Sequence, residues 1–164
     1  MKYIFLDVDG VLNNENTIES NPSGYAGVSM KLVRNLARIV KATDAKIILT
    51  SDWKHGWSEI RFCCDEDVIY LLDKLKKFDL EIHDRTYDEK LEDYFFTDRG
   101  AGIRHFLESC NDGEGYVIID DHVFADFDEE QKTHFVHTDS QNGLTEDDVN
   151  KAIEILSDQE RKMI

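Results

Sequence analysis

The sequence predicts an α/β fold: a three-layer, Rossmann-like arrangement in which a parallel sheet carries helices on both faces. Three observations carry that expectation. Short apolar runs of strand-forming residues alternate with stretches whose apolar residues recur at helical spacing. The connections are short, and parallel strands need crossovers, which the intervening helices supply. Three of the apolar runs stop abruptly at polar or acidic residues, and in open parallel sheets ligands bind at the carboxyl ends of the strands.

The first run, Tyr3-Ile4-Phe5-Leu6, is continuously apolar, as a strand covered on both faces must be, and it ends in Asp7-Val8-Asp9-Gly10. Residues 13–27 are polar and turn-rich, with Asn21-Pro22-Ser23-Gly24 among them, and read as a loop. Ser29 is the expected N-cap of an amphipathic helix that puts Leu32, Leu36, Ile39 and Val40 on one face and ends near Thr43. A second buried strand spans Lys46 to Ser51, and Val68, Leu71, Leu72 and Leu75 mark a helix running to Lys77. Leu80 to His83 reads as a weaker strand and Ile103 to Cys110 as a helix. Tyr116-Val117-Ile118-Ile119 is a strong strand that stops at Asp120-Asp121, and Phe135 to Thr138 supplies a fifth. Thr145 caps a last helix patterned by Val149, Ile153 and Leu156, with Glu146, Asp147 and Asp148 placed favourably at the positive end of its dipole.

A chain of 164 residues is the size of one domain able to bury a core without disulfides or metals, so residues 1–164 are expected to form a single domain. Its 41% hydrophobic and 33% charged residues, with one proline, exclude collagen-like and disordered classes. The formal net charge of -16 repels nucleic-acid backbones and anionic membranes at long range. A nucleic-acid partner is thereby disfavoured but not excluded, because a bound cation can reverse the sign at one site. Cys63, Cys64 and Cys110 form neither a disulfide framework nor a CxxC pair for zinc and suit a reducing compartment. Asp7 and Asp9 argue against a secretory signal, and no apolar run reaches the roughly eighteen residues of a membrane span. The expectation is a cytoplasmic protein with no membrane partner.

The chemistry sits at the strand ends. If the carboxyl edges after Leu6, Leu49 and Ile119 are neighbours, Asp7, Asp9, Asp120 and Asp121 converge, and their mutual repulsion demands either protons at raised pKa values or a cation. Hard oxygen ligands with room for water suit Mg²⁺. Taken singly, Asp-x-Asp is commonly a solvated turn, and Thr50-Ser51 or Asp120-Asp121 a helix cap. Their joint occurrence, each directly after a buried strand, points to a site.

These residues resemble the haloacid dehalogenase-like (HAD) superfamily. Phe5-Leu6-Asp7-Val8-Asp9-Gly10-Val11-Leu12-Asn13 matches its first motif, DxD followed by Gly. Ile47-Ile48-Leu49-Thr50-Ser51 is similar to the second, with Ser51 the better candidate and Thr50 the alternate, and Asp120-Asp121 matches the fourth. The third is a basic residue opening the helix before that strand, for which most of the superfamily uses Lys. Here the position falls on Arg99, whose planar fork replaces a point charge, with Arg104 and Lys90 as substitutes. Ser51 to Lys54, Arg99-Gly100, Ile118 to Asp121 and Gly143-Leu144-Thr145 further resemble the HAD subgroup named for its occurrence in Swiss Army Knife RNA repair proteins.

The resemblance implies a phosphatase acting on a phosphorylated substrate whose class the sequence leaves open. Asp7 would attack phosphorus to form an aspartyl-phosphate, and Asp9 would protonate the leaving oxygen and then activate water. Gly10 would free backbone N–H groups to face phosphoryl oxygens, joined in substrate binding by Thr50, Ser51 and Arg99. Asp7, the Asp9 carbonyl, Asp120 and Asp121 would hold Mg²⁺. Residues 13–28 and 85–98 are too short for a folded cap domain, so a minimal cap or none is expected.

The other conspicuous residues have quieter readings. The six histidines lack ligand spacing; His122, which follows the acid pair, is the partial exception, expected near the metal, and Asp126 is expected to help position the loop. Trp53 and Trp57, just past the second motif, either roof the site or pack, with packing the default, and Cys63 and Cys64 are expected to be inert. A receiver domain of a signalling relay gathers similar residue types, but with the acid pair at the first strand and the phosphorylated Asp at the third. A catalytically silent module that binds metal and a protein partner is the alternative from a different class.

Overall fold

The strand β1 (Lys2–Leu6) is buried along its whole length, which is why its sequence after Lys2 is continuously apolar instead of alternating. The computed structural model describes residues 1–86, 99–110 and 115–162. After β1 come α1 (Met30–Thr43), β2 (Lys46–Leu49), α2 (Glu66–Lys76), β3 (Ile82–Arg85), α3 (Arg99–Ser109), β4 (Gly115–Asp120), α4 (Glu129–Thr133), β5 (Phe135–His137) and α5 (Glu146–Lys162). Two 3-10 helices, Asp52–Gly56 and Arg61–Cys63, lie between β2 and α2.

The five strands form one parallel sheet in the order β3-β2-β1-β4-β5. Successive strand residues point to opposite faces. Ile4, Leu6, Ile47, Leu49, Val117 and Ile119 therefore meet α1, α2 and α5 through residues such as Leu36, Leu71 and Leu156. Tyr3, Phe5, Ile48, Tyr116 and Ile118 face the other way, onto Ile103 and Phe106 of α3. Phe106 meets both Tyr3 and Phe5 edge-on, at ring centroid separations of 5.4 and 5.5 Å. Helices thus cover both faces, as expected.

Local boundaries depart from the sequence reading for identifiable reasons. Ser29 holds the N-cap position of α1, but its side chain makes no capping hydrogen bond. β3 begins at Ile82 because Asp79 adopts a left-handed conformation and the Leu80 N–H bonds to Leu75 O, so Leu80 closes α2 instead of opening a strand. The unanticipated α4 is specified by a capping box, Asp128 accepting from the Gln131 N–H while the Gln131 side chain accepts from the Asp128 N–H. Thr145 and Asp148 make the same reciprocal arrangement at the start of α5, at 2.9 and 3.3 Å.

Residues 13–28 form a loop with a Ser20–Ala26 bridge, held to α2 by Ser23 on Asp67, the Val28 N–H on the Tyr70 hydroxyl, and a Glu19–Lys74 ion pair. The reading of 85–98 as a short connection falls, beyond Arg85 and Thr86, outside the described residues. No described helix is long and apolar enough to cross a membrane.

Candidate active site

The strand order places the switch point between β1 and β4, since the chain leaves β1 towards β2 and β3 and returns on its other side. Leu6 pairs with Leu49 on one side and Ile119 on the other. The next residue in each strand is Asp7, Thr50 and Asp120, and the pleat turns all three towards the α3 face. The ladder reaches one residue further on both sides of β1, through Asp7 N–H to Ile119 O at 3.0 Å and Thr50 N–H to Leu6 O at 2.9 Å. Three residues far apart in sequence thereby share one edge.

Asp7, Asp120 and Asp121 each offer an oxygen within 4.8 Å of one another. Asp7 and Asp120 are buried. Arg99, the first residue of α3, donates from Nη1 to Asp120 Oδ2 at 2.6 Å and to Asp7 Oδ1 at 3.2 Å. Its guanidinium carbon stands 4.4 Å from the centroid of the Phe124 ring. Ala101 N–H donates to Asp126 Oδ2 at 2.8 Å and Gln131 Nε2 to Gly100 O at 2.9 Å, so the β4–β5 connection fixes the start of α3. Asp126 thus positions Arg99 by holding its helix. His122 contributes its backbone, donating N–H to Asp120 Oδ1 at 3.0 Å, while its ring meets Phe124 edge-on.

Burial holds the Asp7 carboxyl well above the usual carboxylate range, reinforced by Asp120 and opposed by Arg99. Burial likewise raises Asp120 against the pull of Arg99. Burial would loosen the proton of Arg99, but Asp120 and Asp7 outweigh it and hold it more tightly. Three carboxyl groups thus crowd one guanidinium, and their hard oxygens fit a divalent cation, which would favour their charged forms.

Gly10 has φ +78°, and a Cβ there would collide with the Asp121 carboxylate. Its N–H donates to Asn13 Oδ1 at 2.8 Å, and its carbonyl accepts from Thr138 Oγ1 at 2.8 Å. Asp9 is exposed; its Oδ1 accepts from Asn13 Nδ2 at 2.9 Å and its Oδ2 from Trp53 Nε1 at 3.1 Å. Ser51 caps the first 3-10 helix, its Oγ accepting from Trp53 N–H at 3.3 Å. Thr50 Oγ1 is buried and has no hydrogen-bond partner among the described residues.

Asn13 and Phe124 touch Asp9 and Arg99 although the sequence reading gave them no role. Asn13 stood inside the motif, and for Trp53, read as packing by default or else roofing the site, the structure shows the ring packed against the core while its edge reaches Asp9. Trp57 is buried as expected. Arg104 bonds Asp126 O, Asp128 and Gln131 away from the acids, and Lys90 lies outside the described residues. Among the described residues, no histidine joins the carboxylates that can share a metal. A receiver sheet runs 2-1-3-4-5, so the observed order separates this fold from that class.

The model of the family described as the HAD domain in Swiss Army Knife RNA repair proteins matches residues 3–149. The chain belongs to this family, within a superfamily of hydrolases. No curated protein and no solved structure matches it.

Proposed function

We propose that the protein is a Mg²⁺-dependent phosphatase that hydrolyses a phosphomonoester through an aspartyl-phosphate on Asp7, with the whole chain acting as one catalytic domain. The observation that carries this reading is the buried Asp7 carboxylate at the switch point, shared between Arg99 and two further acids.

Asp7 Oδ attacks phosphorus as the bond to the leaving oxygen breaks, and Asp9 gives that oxygen its proton. Asp9 then takes a proton from water, whose oxygen attacks phosphorus and releases Asp7 and inorganic phosphate. Arg99 holds the transferring oxygens, because the N–H groups of Gly10, Val11 and Leu12, expected to face them, are already taken by Asn13 Oδ1 and Val8 O. Of the two hydroxyls, Thr50 is the better placed, because its Oγ1 lacks a partner among the described residues whereas Ser51 Oγ caps a helix. Asp7, Asp120, Asp121 and the Asp9 carbonyl are the residues to hold Mg²⁺, which when bound neutralises the pocket towards an anionic substrate. The charge of -16 favours small phosphomonoesters over polyanionic ones, even though the family takes its description from RNA repair proteins.

The test is a Mg²⁺-dependent hydrolysis screen across phosphorylated sugars, nucleotides, peptides and nucleic-acid ends, with Asp7→Asn as control. The expected result is activity that needs the metal and disappears in the variant. Equal turnover by Asp7→Asn removes the nucleophile assignment. Mg²⁺ binding with no turnover of any class leaves the metal-binding module instead.

A further inference from the structure

Unlike Asp7 and Asp120, Asp9 is exposed, and it lies in the turn beyond β1. A carboxylate so placed samples several staggered rotamers unless something holds it. Two donors do so, from different parts of the chain, one on each oxygen. Asn13 is itself rigid, since its Oδ1 accepts from Gly10 N–H at 2.8 Å and its Nδ2 also donates to Gly27 O at 2.9 Å. Trp53 comes from the 3-10 helix after β2, with its backbone N–H on Ser51 Oγ and its ring packed on the core.

Resting on the phosphatase reading above, we infer that Trp53 is the positioning residue for the acid–base carboxylate, and that the two donors on Asp9 aim its proton at the leaving oxygen. The indole N–H can only donate, and the Asn13 amide presents its N–H₂ to Asp9. The two bonds fix the plane of the carboxyl group and leave a second lone pair on each oxygen turned away from both donors, for the substrate or water. Trp53 therefore couples the segment after β2 to the proton transfer without touching the phosphoryl group.

The experiment exploits the leaving group. The para-nitrophenolate oxygen departs without needing a proton, whereas the alkoxide of para-nitrobenzyl phosphate needs one. The rate of phosphoryl-enzyme formation is measured for both esters by rapid quench in wild type, Trp53→Phe, and protein carrying benzothienylalanine at position 53, which replaces the N–H with sulfur at constant shape. Expected is a loss of about 100-fold for the benzyl ester, less than about 3-fold for the nitrophenyl ester, and little change in KM for either. Equal losses for the two esters, or wild-type rates with benzothienylalanine, overturn the inference. Asp9→Asn separates it from its premise. If that variant phosphorylates from the benzyl ester like wild type, the acid–base reading itself falls. If it is slowed while Trp53→Phe is not, only the role of Trp53 falls.

Discussion

Arg99 Nη1 donates to Asp120 Oδ2 across 2.6 Å, tying the first turn of α3 to the carboxyl end of β4. The same nitrogen lies 3.2 Å from Asp7 Oδ1, so one guanidinium spans the two strands that meet at the switch point. Its position depends on the helix start being held by Asp126 and Gln131. A planar donor in a fixed place suits this geometry better than a flexible ammonium.

Arg99→Lys should therefore keep the charge and lose the geometry. Turnover is expected to fall by about 100-fold, the scale of a misplaced catalytic contact. Arg99→Ala leaves buried carboxylates without their cation and should lower stability in chelator by about 3–5 kcal/mol. Mg²⁺ should restore part of that loss in urea unfolding; an unchanged urea midpoint in chelator contradicts the pairing.

The Asp7 carboxyl, held above its ordinary value chiefly by burial, sets a pH dependence. Its proton is bound more tightly in the folded than in the unfolded chain. Folding is thus unpenalised below the unfolded value of about 3.9, and stability is lost as pH rises from there through the folded value. In chelator, Asp7→Asn should raise the thermal midpoint at about pH 8 and lose that advantage at about pH 4. An equal gain at both pH values counts against a buried, strained carboxylate.

Gly10→Ala meets both a positive φ and the Asp121 carboxylate. The expected effect is about 1–3 kcal/mol of destabilisation, with weaker Mg²⁺ binding by calorimetry because Asp121 must move. Wild-type metal affinity in the variant would place Asp121 outside the metal site.

Thr50→Val and Ser51→Ala separate the two hydroxyls. Thr50→Val removes a buried oxygen with no described partner, so stability should hold while kcat/KM falls about 10-fold or more. Ser51→Ala should instead cost about 0.5–1 kcal/mol of stability through the lost cap, with a smaller kinetic effect. The reverse pattern in paired denaturation and kinetic measurements would restore Ser51 to the phosphate.

Asp7, Asp9 and Asp120-Asp121 were legible in the chain because a doubly covered strand must be apolar, so the first acid after it marks where the strand leaves the core. The helical periodicities of α1, α2 and α5 were legible for the same reason, as local patterns of burial. The proposed preference for Thr50 over Ser51 was not, because it rests on which sheet face α3 covers. The Trp53–Asp9 bond was hidden too, since the tryptophan's ring packs and only its edge is polar.

The amino-acid order alone determined where strands end, where helices repeat, and which residues carry charge out of the core. The tertiary structure alone decided that β1 lies between β2 and β4, and hence that Asp7, Thr50, Asp120 and Arg99 are neighbours. Strand ends follow from local burial, whereas pairings between distant segments follow from how the whole set of apolar faces packs together, a condition that no single stretch of residues contains.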